Sequence, residues 1–342
     1  KNLTFKTNAG FDYLLANFNE FQASYIEGAL PVPPNQAFQS KSTNANFLAE
    51  HTLTFNKDFG LNHHFVVLAG YTSQINTNEI VDARSMDHLT TTLTTVNAGS
   101  SIDRQANGAR YENSYESYLG RINYSFADKY LIAANIRRDG SSVFSAENKY
   151  AVFPSFSAGW RLSREKFIQK IAFINDLKLR GSWGQTGFDG NLGGTEYATI
   201  GSGFLYNFGG TVVGGMTANV IPNPSLKWET VSQTDFGIDL SVLNNRLSVT
   251  ADYFIKRYTD MITQKPVPIY AGISNTQADI MISQSINSAT VVNKGFEFAV
   301  NYNNRTGSLN YDLGFNLTTF SNKIVKLDDY ISGGYLYNTP QG

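Results

Sequence analysis

The chain has 342 residues and a formal net charge of -1, from 27 basic and 28 acidic side chains. No global field therefore selects nucleic acid or an anionic surface. It has no cysteine, which removes disulfide frameworks, thiolate metal sites and cysteine nucleophiles together.

Only 16% of residues are charged, against about a quarter in soluble domains. Aromatics make up 13%; Phe and Tyr favour pleated surfaces, and Tyr and Trp favour lipid–water interfaces. The longest apolar runs, such as 65–70 and 130–134, fall far short of the ~18 residues a spanning helix needs. Mean hydropathy is slightly negative, as in membrane barrels, whose strands are apolar on one face only.

Period-two alternation recurs from the first residues, and helical periodicity is nearly absent. Leu3, Phe5, Ala9 and Phe11 share a parity against Thr4, Lys6 and Asn8. Tyr118, Ile122, Tyr124 and Phe126 oppose Leu119, Arg121, Asn123 and Ser125, and Tyr130, Ile132, Ala134 and Ile136 oppose Asn135 and Arg137. Phe156, Ala158 and Trp160 oppose Ser157 and Arg161, then Leu177, Leu179 and Trp183 oppose Lys178, Arg180 and Ser182. The later runs are the cleanest: Leu247 to Ile255, Phe296 to Tyr302 and Leu309 to Leu317, each apolar at every second position. They reach about nine or ten residues, the length at which a tilted strand crosses the hydrocarbon layer.

About eleven strands are predicted, near 3–13, 45–55, 63–74, 114–126, 130–138, 153–162, 176–185, 228–242, 246–258, 293–303 and 308–320. The connections alternate long and short. The tight ones carry turn residues: Ala127-Asp128-Lys129, Asn244-Asn245 and Asn304-Arg305-Thr306-Gly307. The fold class is thus all-β: part of an antiparallel transmembrane β-barrel, whose inner turns are short and outer loops long. The loops starting near 14, 75, 139, 186 and 259 are expected outside the cell. Their Gly, Ser, Thr and Asn content (89–101, 187–215, 273–290) fits long binding loops or low-complexity segments. No signal peptide is visible at Lys1, and both ends read as cut from something longer.

The polar face carries charge in blocks. Arg121, Arg137, Arg161 and Arg180 fall on it in four consecutive strands, and Asp235, Asp239, Asp252, Glu297 and Asp312 in the later ones. These are the candidate lumen-facing residues: a basic and an acidic arc that seat a plug or orient a substrate, or charges that pair internally. Tyr118, Tyr130, Trp160, Trp183, Tyr253 and Tyr302, with Tyr71, Trp228 and Tyr258, are expected as interface girdles. In the loops, Tyr197, Phe204, Tyr206 and Phe208 are candidate substrate or lid contacts.

Catalytic signals are weak. His63 and His64 are adjacent in a strand and point to opposite faces, so both rings cannot chelate one metal. His51 and His88 lack zinc-like spacing, and no Gly-x-Ser-x-Gly elbow is present. No catalytic residue, metal site or cofactor is expected, and the chain is not read as an enzyme.

One stretch is specific. Residues 118–144, YLGRINYSFADKYLIAANIRRDGSSVF, and 153–161, FPSFSAGWR, look like consecutive segments of the SusC/RagA-type TonB-dependent transporters of Bacteroidota outer membranes. Residues 177–187, 223–229 (NPSLKWE) and 293–297 (NKGFE) also match, in the family's order, so the resemblance covers at least residues 110 to 325. It implies a ~22-stranded barrel closed around an N-terminal plug, energised through TonB, with a SusD-like surface lipoprotein as lid. It further implies import of an oligosaccharide or peptide across the outer membrane. The plug, the TonB-contacting box and the closing strands lie outside these residues. Eleven strands alone leave two open edges, which a bilayer does not tolerate, so the segment is not expected to fold or transport alone. A passive porin and a structural or adhesive β-protein are the alternatives.

Overall fold

The computed structural model describes residues 2–27, 30–31, 35–190, 200–218, 221–267, 283–305 and 309–327. Its strands are β1 (Leu3–Gln22), β2 (Ile26–Glu27), β3 (Leu30–Pro31), β4 (Gln36–Phe59), β5 (His63–Ser85), β6 (Gln105–Phe126), β7 (Tyr130–Ser141), β8 (Tyr150–Arg161), β9 (Ile174–Phe188), β10 (Ile200–Phe208), β11 (Thr211–Ala218), β12 (Glu229–Val242), β13 (Leu247–Pro266), β14 (Ser283–Asn304) and β15 (Tyr311–Lys326). Two single 3-10 turns, Val96–Ala98 and Leu162–Arg164, are the only helical pieces among the described residues.

Eleven strands form one sheet in the order β1-β4-β5-β6-β7-β8-β9-β12-β13-β14-β15, and β10 with β11 and β2 with β3 form separate ladders. Each large strand neighbours the next large strand in sequence, an up-and-down meander. The eleven predicted strands are all present.

The register keeps the alternation in phase. Along one face run Ile132↔Ala158, Phe156↔Trp183, Leu179↔Ile238 and Tyr253↔Phe296. Along the other run Ala133↔Ser157, Ser157↔Ser182, Ser182↔Asp235 and Asp252↔Glu297. A one-residue slip would exchange the faces, so the pattern and the pairing specify each other. The apolar face is open: Phe236 is 62% exposed and Ile136 55%. A continuous patch of that size is not left in water by a soluble domain.

The strands outrun the prediction. Strand enters segments 14–44, 75–113 and 259–292, read as loops, from both sides, because β1, β4, β5, β6, β13 and β14 run 20 to 24 residues. Alternation reports a one-sided apolar environment rather than strand itself. Where both faces are polar, as in Thr72–Ser85, pairing continues without the signal. A second miss is the β10–β11 hairpin inside the predicted loop 186–227. Its two-residue turn, Gly209-Gly210, has φ +59° and +90°, the positive angles a primed hairpin turn demands.

The chain divides into two compact units: residues 1–6, 52–71 and 117–342, and residues 7–51 and 72–116. In the second, connection 86–104 is ordered around His88. Its Nδ1 donates to the Leu93 carbonyl at 2.9 Å, its Nε2 meets Ser85 Oγ at 2.9 Å, and the ring lies edge-on to Phe21. Arg104 bonds the Asn97 and Gly99 carbonyls.

In the first unit the buried apolar cluster is small: Phe144, Phe153, Leu226 and Trp228, backed by Ala151 and Ile262. Trp228, expected in an interface girdle, is only 9% exposed. Its ring packs on Phe144 and Phe153 at 5.2 and 5.7 Å, and its Nε1 donates to the Lys149 carbonyl. Tyr258 also departs from expectation. It shares the parity of Asp252 and Lys256, and the Lys256 ammonium lies 5.1 Å from its ring.

Candidate functional site

The polar face of β6–β9 and β12–β15 is the candidate site. At its centre Arg180 of β9 makes two bonds to Asp239 of β12, Nε at 3.1 Å and Nη2 at 3.2 Å. The same Nη2 donates to Asp252 Oδ2 of β13 at 2.8 Å. Between them stands Gly237, opposite Arg180 on one side and Asp252 on the other. A Cβ at Gly237 would sit 2.3 Å from Asp252 Oδ1 and 2.7 Å from Arg180 Cζ, so the absent side chain leaves room for this close approach.

The other candidate lumen residues are held locally. Arg121 donates to Asn135 Oδ1 at 2.5 Å, and Asn135 to Ser155. Arg137 pairs with Asp139 and bonds Ser117. Arg161 pairs with Asp128 at 2.6 Å and approaches Asp176 at 3.8 Å. Asp235 accepts from Ser182 and Gln233, and Asp312 pairs with Arg305. Glu297 is exposed and lies opposite Asp252 in the register. The structure thus brings Arg180, Asp239 and Asp252 together with Asp235 and Glu297 beside them, and places Arg121, Arg137, Arg161 and Asp312 elsewhere along the same face.

Beside this cluster lies an open depression of about 380 Å³, floored by small residues such as Ala133, Ser157, Gly159 and Gly237 and edged by Asn123, Lys178, Arg180 and Asp235. Its lining mixes apolar side chains such as Leu131 and Ile132 with the charges of Lys178, Arg180 and Asp235. Among the described residues no group of His, Asp or Glu could hold a metal ion. His63 and His64 go separate ways: His63 Nδ1 meets Tyr124 Oη at 2.9 Å, and His64 Nδ1 meets Asp58 at 2.6 Å.

At the long-connection end of this unit, residues 221–229 form a strap that sequence reasoning matched as a motif without a role. Asn223 caps its own turn through Ser225 N and donates to the Ser285 carbonyl at 2.7 Å. Ser145 and Asn148 both donate to the Pro224 carbonyl. Asn287 of β14 bonds both Lys227 N and Lys227 O, as an added strand would. With Trp228 buried below, the strap ties connection 142–149 to β14. No periodicity signals this, because the partners are about 60 to 80 residues apart.

Of the loop candidates, Tyr206 and Phe208 lie on β10 with rings 6.4 Å apart, 49% and 69% exposed. Phe204 is also on β10. Tyr197 lies outside the described residues.

The girdle candidates fall into two sets. Tyr130, Trp160 and Tyr302 stand at short-turn ends of β7, β8 and β14. Tyr130 and Trp160 are a cross-strand pair with stacked rings 6.3 Å apart. Glu165, in the connection after β8, accepts from both, Tyr130 Oη at 2.9 Å and Trp160 Nε1 at 3.3 Å, and pairs with Lys129 at 3.2 Å. The Tyr130 hydroxyl, then the Lys129 ammonium, hold the Glu165 carboxyl below its usual range. Tyr118, Trp183 and Tyr253 stand eight, nine and six residues in from the short-turn ends of β6, β9 and β13. Tyr118 packs on Tyr71 of β5 at 5.2 Å.

Comparison with known proteins places these features in a family. The family described as "TonB dependent receptor-like, beta-barrel" matches residues 1–341. The chain is 34% identical over 331 residues to TonB-dependent receptor P3 of Formosa agariphila, covering 96% of this chain and 32% of that protein. It is 32% identical over 240 residues to TonB-dependent receptor SusC of Bacteroides thetaiotaomicron, covering 65% of this chain and 22% of that protein. In fold it is similar to a chain of the RagAB peptide transporter, with a TM-score of 0.85 at 23% identity over 96% of this chain and 36% of that one. The chain spans about a third of the length of TonB-dependent receptor P3. With its unbroken antiparallel meander and open apolar face, it belongs to the TonB-dependent receptor β-barrel family.

Proposed function

We propose that the chain forms barrel wall, lumen lining and outer rim of an outer-membrane importer that draws its energy through TonB and works with a SusD-like surface lipoprotein. The cargo is a bulky nutrient, an oligosaccharide or a peptide. The observation that carries this reading is the family match over residues 1–341, supported by similarity to a receptor named SusC and, in fold, to a peptide transporter. The open apolar face supports contact with lipid. The polar face with Arg121, Arg137, Arg161, Arg180, Asp235, Asp239, Asp252, Glu297 and Asp312 then faces the lumen, and short connections face the periplasm. Tyr206 and Phe208, exposed on a hairpin in the longest connection, are positioned to meet cargo or lid.

The test is uptake of labelled oligopeptides and oligosaccharides by cells carrying the full-length transporter, with and without an intact TonB system. Uptake that stops when TonB is removed is expected. Uptake that continues by diffusion would replace the importer with a passive porin.

A further inference from the structure

One connection at the short-turn end does not fit its neighbours. Connections 60–62, 127–129 and 243–246 need three or four residues to reverse the chain, whereas 162–173 uses twelve. The extra residues are ordered. They open with the 3-10 turn Leu162–Arg164 and continue in turns through Ile168 N to Glu165 O and Ile171 N to Ile168 O. At one end Glu165 is bonded to Lys129, Tyr130 and Trp160. At the other the Phe173 carbonyl accepts from Leu243 N of the β12–β13 turn.

This anchored segment presents apolar side chains to its surroundings: Phe167 is 58% exposed, Ile171 36% and Phe173 61%. Leu243 joins them at 49%, although its φ of +58° is unfavourable for a leucine. Lys166 and Lys170 are exposed and have no ion-pair partner among the described residues, while the one acid of the segment, Glu165, is consumed internally. Glu165 also fixes where the segment leans. Tyr130 and Trp160 belong to the apolar face, so Glu165 ties segment 162–173 to that side of the sheet.

We propose that residues 162–173 are a membrane foot, with Phe167, Ile171 and Phe173 seated at the headgroup–acyl boundary of the phospholipid leaflet and Lys166 and Lys170 on its anionic phosphates. Aromatic and aliphatic side chains beside lysines are the composition that lies in this boundary. The foot braces the short-turn ends of β7 to β13 against the bilayer. It rests on the barrel orientation proposed above.

The experiment uses the full-length transporter in vesicles of phosphatidylethanolamine and phosphatidylglycerol, with nitroxide labels on F167C, I171C, F173C, Q169C and N97C. Collision with oxygen, which concentrates in lipid, is compared with collision with a water-soluble nickel chelate. The labels at 167, 171 and 173 are expected to favour oxygen, and those at 169 and 97 the chelate. Labels at all five positions equally open to the chelate would overturn the foot. Replacing phosphatidylglycerol by phosphatidylcholine, or the K166E/K170E double variant, is expected to raise chelate collision at 173 severalfold. No change in either would overturn the phosphate contact. Failure of the foot in a transporter that still imports leaves the importer reading standing; correctly seated labels without TonB-dependent import count against that reading alone.

Discussion

The Arg180 guanidinium reaches Asp252 at 2.8 Å across an entire intervening strand, passing over Gly237 of β12. Three strands are thereby cross-linked by one side chain, since Asp239 is held by the same fork. Planar guanidinium geometry permits this where a lysine could make only one point contact.

Gly237→Ala is expected to push the fork aside and to cost about 1–3 kcal/mol, as overpacking of a tight site does. Urea unfolding of the full-length protein in lipid vesicles, followed by the gel mobility of folded barrel, measures it. Stability equal to the parent would show that the Arg180–Asp252 contact is dispensable.

Arg180→Met leaves Asp239 and Asp252 without their common cation. Side-chain exposures of 34%, 35% and 19% mean that water screens part of the penalty, so a loss of roughly 1–2 kcal/mol is expected. Asp252→Asn in the Arg180→Met background should add little, because the partner is already gone. A fully additive double variant would mean the two residues do not interact.

Trp228→Ala empties the buried cluster beneath the 221–229 strap and is expected to cost about 3–5 kcal/mol. The loosening should be local: hydrogen exchange and protease cleavage rise at connection 142–149 and at Asn287, with strands β7 to β9 still protected near their short-turn ends. Asn287→Ala should reproduce the cleavage pattern in weaker form.

Glu165 gives a pH dependence with a definite sign. Its folded carboxyl titrates below the unfolded one, so its contribution is present above the unfolded carboxylate range and is lost as pH falls through the folded value. Unfolding rates of the parent and of Glu165→Gln are expected to differ at neutral pH and to converge in acid. A difference that persists unchanged at pH 3 would remove the ionised carboxylate from the explanation.

An epitope tag inserted near Asn97 tests orientation. Asn97 lies in the ordered connection 86–104, and antibody should reach it on intact cells. Inaccessibility before lysis, with exposure afterwards, would invert the barrel.

Much of the fold is legible because a membrane writes period two into sequence. Wherever lipid covers one face and water the other, as in Tyr130 to Arg137 or Leu247 to Ile255, the alternation located strand, face and turn together. Where both faces are polar it vanished, so β5 beyond Gln74 and β6 before Ser114 fell outside the predicted strands. The Gly209-Gly210 hairpin was readable in principle, its Gly-Gly pair standing between two apolar runs, yet its loop-like composition hid it.

Residue type and parity, then, were enough to place nine charges on one face and to find an open all-β wall with short and long connections. They could not say which charges meet. Arg180 and Asp252 are 72 positions apart and touch only because β12 puts a glycine between them. Trp228 and Tyr258 carry the chemistry of girdle residues, but one is buried in the strap's core and the other lies on the polar face. Neighbourhood across strands is a property of register and packing, and it exists only once the sheet is assembled.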